Sequence, residues 1–132
     1  MNYLLDTHTC IWAIGKQTKL SATVKNILLN QENNFWVSKI SLFEIAIKLK
    51  IGKLQEFKTS LPEFIQSLYL SGYKMLPVKD EHLETYNIID FDESHRDPFD
   101  RYLLAAAHFE KMAIITIDEK FGVYNKIVQI IW

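Results

Sequence analysis

The apolar positions fall into two kinds of run. Short β-prone stretches occupy residues 3–5, 35–37, 74–78, 113–117 and 127–131. Some of them, such as IIT and IVQII, are continuous rather than alternating, the pattern of strands covered on both faces. Between them lie longer segments with helical spacing and recognisable ends. Residues 8–14 close at Gly15, and Ser21 is placed to cap a helix running to about residue 30. Ser41 is placed to start a helix that ends before Gly52, and Ser60, followed by Pro62 and Glu63, opens one that stops at Gly72. Residues 80–89 and 98–111 read as the last two helices, the second built around Ala105, Ala106 and Ala107. Strands alternating with helices of these lengths predict an α/β fold, a three-layer α/β/α sandwich with a mainly parallel sheet. A length of 132 residues suits a single domain, residues 1–132.

A parallel sheet gathers the carboxyl ends of its strands on one edge, and ligands of such folds bind there. Four acids belong to that edge. Asp6 ends the first strand in LLDTHT, and Asp118 ends the fourth in IITID. Glu44 lies in the first turn of the helix after FWVS, and Asp100 in the first turn of the helix that feeds the fourth strand. Two of these have simpler readings as well. Glu44 also fits a Ser41-x-x-Glu44 capping box or an i+4 pair with Lys48, and Asp118 also fits a cap of the turn DEKFG. Asp6 follows an apolar strand, where a carboxylate must find a cation or several donors.

The stretch HRDPFDR sets two acids three positions apart, Asp97 and Asp100. A residue before proline disfavours helical backbone angles, so Asp97 is expected as the N-cap with Pro98 at the first helical position. Asp100 then shares a helix face with Leu103, Leu104 and Ala107 and points inward. Inward carboxylates on one edge repel each other and raise each other's pKa unless a cation sits among them. Mg²⁺ or Mn²⁺ suits oxygen donors and recruits phosphate. This points to metal-assisted phosphodiester hydrolysis. With no cysteine cluster and no His-x-x-x-His, zinc is disfavoured.

Composition changes this picture little. The chain is 48% hydrophobic with a formal net charge of −1, which argues against a nucleic-acid coat but not against an enzyme with a local basic rim. Candidates for that rim are Lys39, Lys48, Lys50, Lys53, Arg96 and Arg101, with Arg96 and Arg101 directly flanking the acids. Trp12 and Trp36 are candidates for base stacking, set against burial in the core. The single Cys10 excludes an internal disulfide and suits a reducing cytosol. No apolar run is long enough to span a bilayer and no targeting segment is visible, so a cytoplasmic protein is expected.

LLDTH, SLFEIAIK, HRDPFDRYLLAAA and TIDEKF followed by IIW, in this order and spacing, resemble the PIN-domain ribonucleases, in particular the VapC-type toxins of prokaryotic toxin–antitoxin pairs. The resemblance implies that Asp6, Glu44, Asp100 and Asp118 are the family's four metal-site acids, the fourth being the most variable and often acting through water. It implies supporting roles for Thr7, Ser41 and Thr116, and leaves Asp97 a possible contact to the metal's water shell. It also implies Mg²⁺- or Mn²⁺-dependent endoribonuclease activity, a cognate antitoxin inserted in the active-site groove, and homodimerisation, for which the helices after Ser21 and Ser41 offer apolar surface. A phosphoacceptor receiver domain is disfavoured by the lone acid after strand one, and a haloacid-dehalogenase-type phosphatase by His8 where a second aspartate is needed. A catalytically silent PIN-like module and a DNA-directed nuclease are the remaining alternatives.

Overall fold

The computed structural model describes residues 1–132. Five strands form one sheet: β1 (Asn2–Leu5), β2 (Asn34–Ser38), β3 (Lys74–Leu76), β4 (Ala113–Ile115) and β5 (Ile130–Ile131). Their spatial order is β3-β2-β1-β4-β5, and every pairing is parallel. The helices are α1 (Thr7–Gly15), α2 (Ala22–Leu29), α3 (Lys39–Lys50), α4 (Leu61–Leu70), α5 (Asp80–Ile88) and α6 (Pro98–Glu110). Two short 3-10 turns, Gln17–Lys19 and Glu119–Tyr124, complete the order.

Alternation along the strands divides the core into two layers. Tyr3, Leu5, Val37, Ala113 and Ile115 pack with Cys10, Val24, Ile45, Phe64 and Leu68 from α1 to α4. Leu4, Leu76 and Ile114 face the opposite way, onto Tyr102, Leu103, Ala106 and Ala107 of α6 and onto Phe121 and Tyr124. The side chains of one strand thus enter two cores, which is why the strands read as continuous apolar runs. Ala105, Ala106 and Ala107 are fully buried. Small side chains let α6 lie close to the sheet on one side and to α5 on the other.

Several boundaries differ from expectation. β3 stops at Leu76, because Pro77 follows with no N–H to donate. β4 stops at Ile115, since β5 supplies only two partners, Ile130 opposite Ile114 and Ile131 opposite Ile115. Asp118 therefore lies three residues beyond β4 and caps the following 3-10 turn by accepting from Lys120 N. β2 runs on to Ser38, and Ser38, not Ser41, caps α3, its Oγ accepting from Ile40 N at 3.1 Å. Ser41 sits inside the helix and Glu44 in the second turn, so the expected Ser41–Glu44 capping box does not form. α1 begins at Thr7 with Asp6 as its cap.

α6 begins as its sequence requires, with Pro98 at the first helical position and Asp97 Oδ1 accepting from Phe99 N at 2.8 Å and Asp100 N at 3.2 Å. Asp97 is exposed, so removing its side chain deletes a cap and little packing. Asp97→Ala should lower unfolding stability by about 1 kcal/mol in chemical denaturation, with Asn at the same position retaining most of it.

Candidate functional site

The carboxyl edge of the sheet is organised around the end of β1, its central strand. Asp6 follows Leu5 directly, and its backbone N–H still donates to Ile115 O of β4 at 3.1 Å. The side chain is buried. Oδ1 accepts from Thr9 N at 2.8 Å, and Oδ2 accepts a short hydrogen bond from the Thr116 hydroxyl. Burial pushes the Asp6 pKa up, while the bonds from Thr116 and Thr9 pull it back in part. Thr116, just past β4, also accepts from Asp118 N at 3.0 Å and so connects two of the four acids.

Glu44 is buried on α3. Its Oε1 accepts from the Thr7 hydroxyl at 2.5 Å, and Oε2 pairs with Lys48 Nζ at 2.9 Å one turn along. Lys48 thus forms the i+4 pair with Glu44 that the spacing allows. Ser41 is fully buried with no hydrogen-bond partner for its hydroxyl and does not touch the acids by a hydrogen bond.

Asp100 is half-buried in the first turn of α6, and Oδ2 lies 2.9 Å from Nε2 of His95. Its pKa is pushed up to about 6, chiefly by burial and further by the charges of Asp97 and Glu44, against the lowering effect of His95. Phe43 of α3 meets Phe99 of α6 edge-on with centroids 6.2 Å apart, so α3 and the start of α6 lie side by side. Donor atoms of His95, Asp100 and Asp118 lie within 4.8 Å of one another.

His95 has no role in the sequence reading, although it stands inside the quoted HRDPFDR. A histidine in a polar loop carries no periodic sign of burial, yet here it is 1% exposed. Its fixed five-residue spacing to Asp100 is the only available signal. Arg101 donates from Nε to His95 O at 2.7 Å and from Nη2 to Asp92 O at 3.2 Å, with the guanidinium 5.0 Å over the Phe91 ring. It holds the loop before α6 through these bonds. Arg96 is exposed, and its Nε donates to Glu93 O at 2.9 Å. Trp12 packs edge-on against Trp132 with Lys19 over its ring, and Trp36 lies under Lys74.

The donor set is carboxylate-rich with hydroxyls and one imidazole, and no thiolate: Cys10 is buried with its pKa raised out of reach by burial. This chemistry fits a hard divalent cation such as Mg²⁺ or Mn²⁺. An ion with bonds of about 2.1 Å holds opposite ligands about 4.2 Å apart, and the carboxylate oxygens of Asp100 and Asp118 lie within 4.8 Å of each other.

A PIN domain family model matches residues 3–127. No curated protein sequence matches the chain. Among solved structures it is similar to VapBC2 from Rickettsia felis bound to a promoter DNA fragment, at 20% identity over 99% of this chain and 96% of that one, with a TM-score of 0.70. DNA-bound VapBC from Salmonella typhimurium aligns at 18% identity over 98% and 96%, with a TM-score of 0.68. FitAcB from Neisseria gonorrhoeae aligns at 18% identity over 98% and 96%, with a TM-score of 0.65. At these identities the likeness is one of fold.

The raised pKa of Asp100 has a sign that can be tested without metal. An acid with a folded pKa near 6 keeps its proton where the unfolded chain, with a pKa of about 3.9, has lost it. Stability therefore falls as pH rises through that window. Asn cannot titrate, so metal-free Asp100→Asn should gain on the wild type between pH 4 and pH 7. Melting temperatures across the window check this; parallel curves would show that Asp100 titrates normally.

Proposed function

The chain belongs to the PIN-domain family, and from that premise we propose that it is the toxin of a toxin–antitoxin pair, a divalent-metal-dependent endoribonuclease acting as one nuclease domain over residues 1–132. The observation that carries this reading is the crowding of acids at one sheet edge, where burial raises Asp6 and burial with neighbouring charge raises Asp100. Such an arrangement is unfavourable in isolation and favourable around a cation.

Asp6, Glu44, Asp100 and Asp118 would hold the ion, Mg²⁺ or Mn²⁺. When bound, it supplies a lowered pKa for attacking water and stabilises the leaving oxygen of the phosphodiester. The chain's own residues do the orienting. Thr116 and Thr9 fix the two oxygens of Asp6, Thr7 fixes Glu44, and Asp97 fixes the helix turn that presents Asp100. Arg96, exposed beside the site, and Arg101 and Lys48 on the same rim would meet the substrate's phosphates.

A toxin–antitoxin complex from Klebsiella pneumoniae and a VapBC-family toxin–antitoxin system from Mycobacterium tuberculosis share this fold, which supports a cognate antitoxin here. An antitoxin arginine would suit this acidic edge through charge-assisted bonds. A second copy belongs to the same reading: Phe43 and Ile47 of α3, and Ile51 just past its end, are exposed one turn apart. No helix is long and apolar enough to cross a membrane, in keeping with a cytoplasmic toxin.

Purified, partner-free protein should cleave single-stranded RNA in Mg²⁺ or Mn²⁺ and stop on addition of EDTA. Asp6→Asn should lower the rate on the order of 100-fold or more, since loss of even an outer-shell group costs 10- to 100-fold at metal sites. RNA cleavage indifferent to chelator and to Asp6→Asn would remove the mechanism, and cleavage confined to DNA would reassign the substrate.

A further inference from the structure

We propose that His95 is a positioning residue for the third acid: its imidazole donates to Asp100 Oδ2, from a ring locked by Phe121 and Tyr124, and so aims the other oxygen of Asp100 at the cation. The inference rests on the reading of Asp100 as a metal ligand.

Two aromatic rings pack against the imidazole. Phe121 meets it edge-on with centroids 4.7 Å apart, and Tyr124 lies at 5.7 Å. Its backbone is fixed too, with His95 N donating to Asp92 O at 3.1 Å and His95 O accepting from Arg101 Nε at 2.7 Å. Nδ1 is buried with no partner. A hydrogen on Nδ1 would be a buried donor without an acceptor, the costlier orphan, so the neutral ring carries its hydrogen on Nε2. That N–H points along the 2.9 Å line to Asp100 Oδ2.

The same line argues against His95 as a ligand. A metal must sit on the in-plane axis of the nitrogen lone pair, and Asp100 Oδ2 already occupies that axis. Orienting partners of this kind typically shift metal affinity by 10- to 100-fold. They do so by fixing the ligand's rotamer before binding, so that less freedom is lost when the ion arrives.

The test is calorimetric titration of metal-free protein with Mn²⁺. His95→Ala should weaken binding at least about 10-fold. His95→Gln, whose amide nitrogen can stand in for Nε2, should restore most of the affinity. In an Asp100→Asn background, His95→Ala should add no further loss. Raising Mn²⁺ should recover RNA cleavage by His95→Ala, which loss of fold would not permit. Should the alanine variant fail to fold, His95→Leu fills the space between Phe121 and Tyr124 without a donor, and the same results are expected of it.

A cooperatively melting variant that binds Mn²⁺ as tightly as wild type overturns the inference and leaves the metal reading standing. Imidazole nitrogen coupling in the EPR spectrum of the Mn²⁺-loaded wild type, absent from His95→Gln, overturns it by making His95 a ligand. A wild type that does not bind Mn²⁺ overturns both.

Discussion

Asp6 stands where three requirements of the fold meet. It ends the central strand, caps α1 through Thr9 N, and receives the hydroxyl of Thr116 from beyond β4. A carboxylate buried to this degree is tolerated only with donors on its oxygens, and these two come from segments more than a hundred residues apart in the chain. The parallel pairing of β1 with β4 is what brings them together, Leu5 opposite Ile115. Each remaining acid is placed by an element that starts or ends on the same edge, so the site inherits its geometry from that pairing.

Around Asp6 the counter-charges are few and unequal. Glu44 has Lys48 and a hydroxyl from Thr7, whereas Asp100 has the His95 ring. Asp118 is bonded to its own turn through Lys120 N. Each acid is thus held from behind by a neutral donor or a single cation, which fixes direction more than it cancels charge. The formal net charge of −1 gives no hint of this, because the imbalance is local.

Residues with one possible structural partner are the legible ones. Asp6 after YLL and the Asp97–Pro98 start of α6 follow from strand burial and proline geometry alone. Ser38 and Ser41 are different, since either can cap a helix. The choice is made by β2, which pairs with β3 as far as Ser38 opposite Leu76 and so ends on the residue that caps α3, three positions before Ser41. The position of Asp118 depends likewise on a two-residue partner strand, too short to show in the apolar pattern. Arg101 reads only as a rim cation, because its stacking on Phe91 is a tertiary contact.

HRDPFDR concentrates these effects in seven residues. Asp97 turns its carboxylate onto the amides of Phe99 and Asp100, and Arg101 reaches back to the carbonyls of Asp92 and His95. The helix thereby grips the loop, while the loop, through His95, grips the first turn of the helix. Reciprocal contacts of this kind stiffen both parts, because neither can move without breaking bonds to the other. Asp100 is therefore held in one orientation by contacts within the fold, and the entropy of ordering it is lost in folding. A pair of aspartates that looks symmetric in the sequence is divided by one proline into a cap and an inward carboxylate, and the histidine two residues before the first of them holds the second in place.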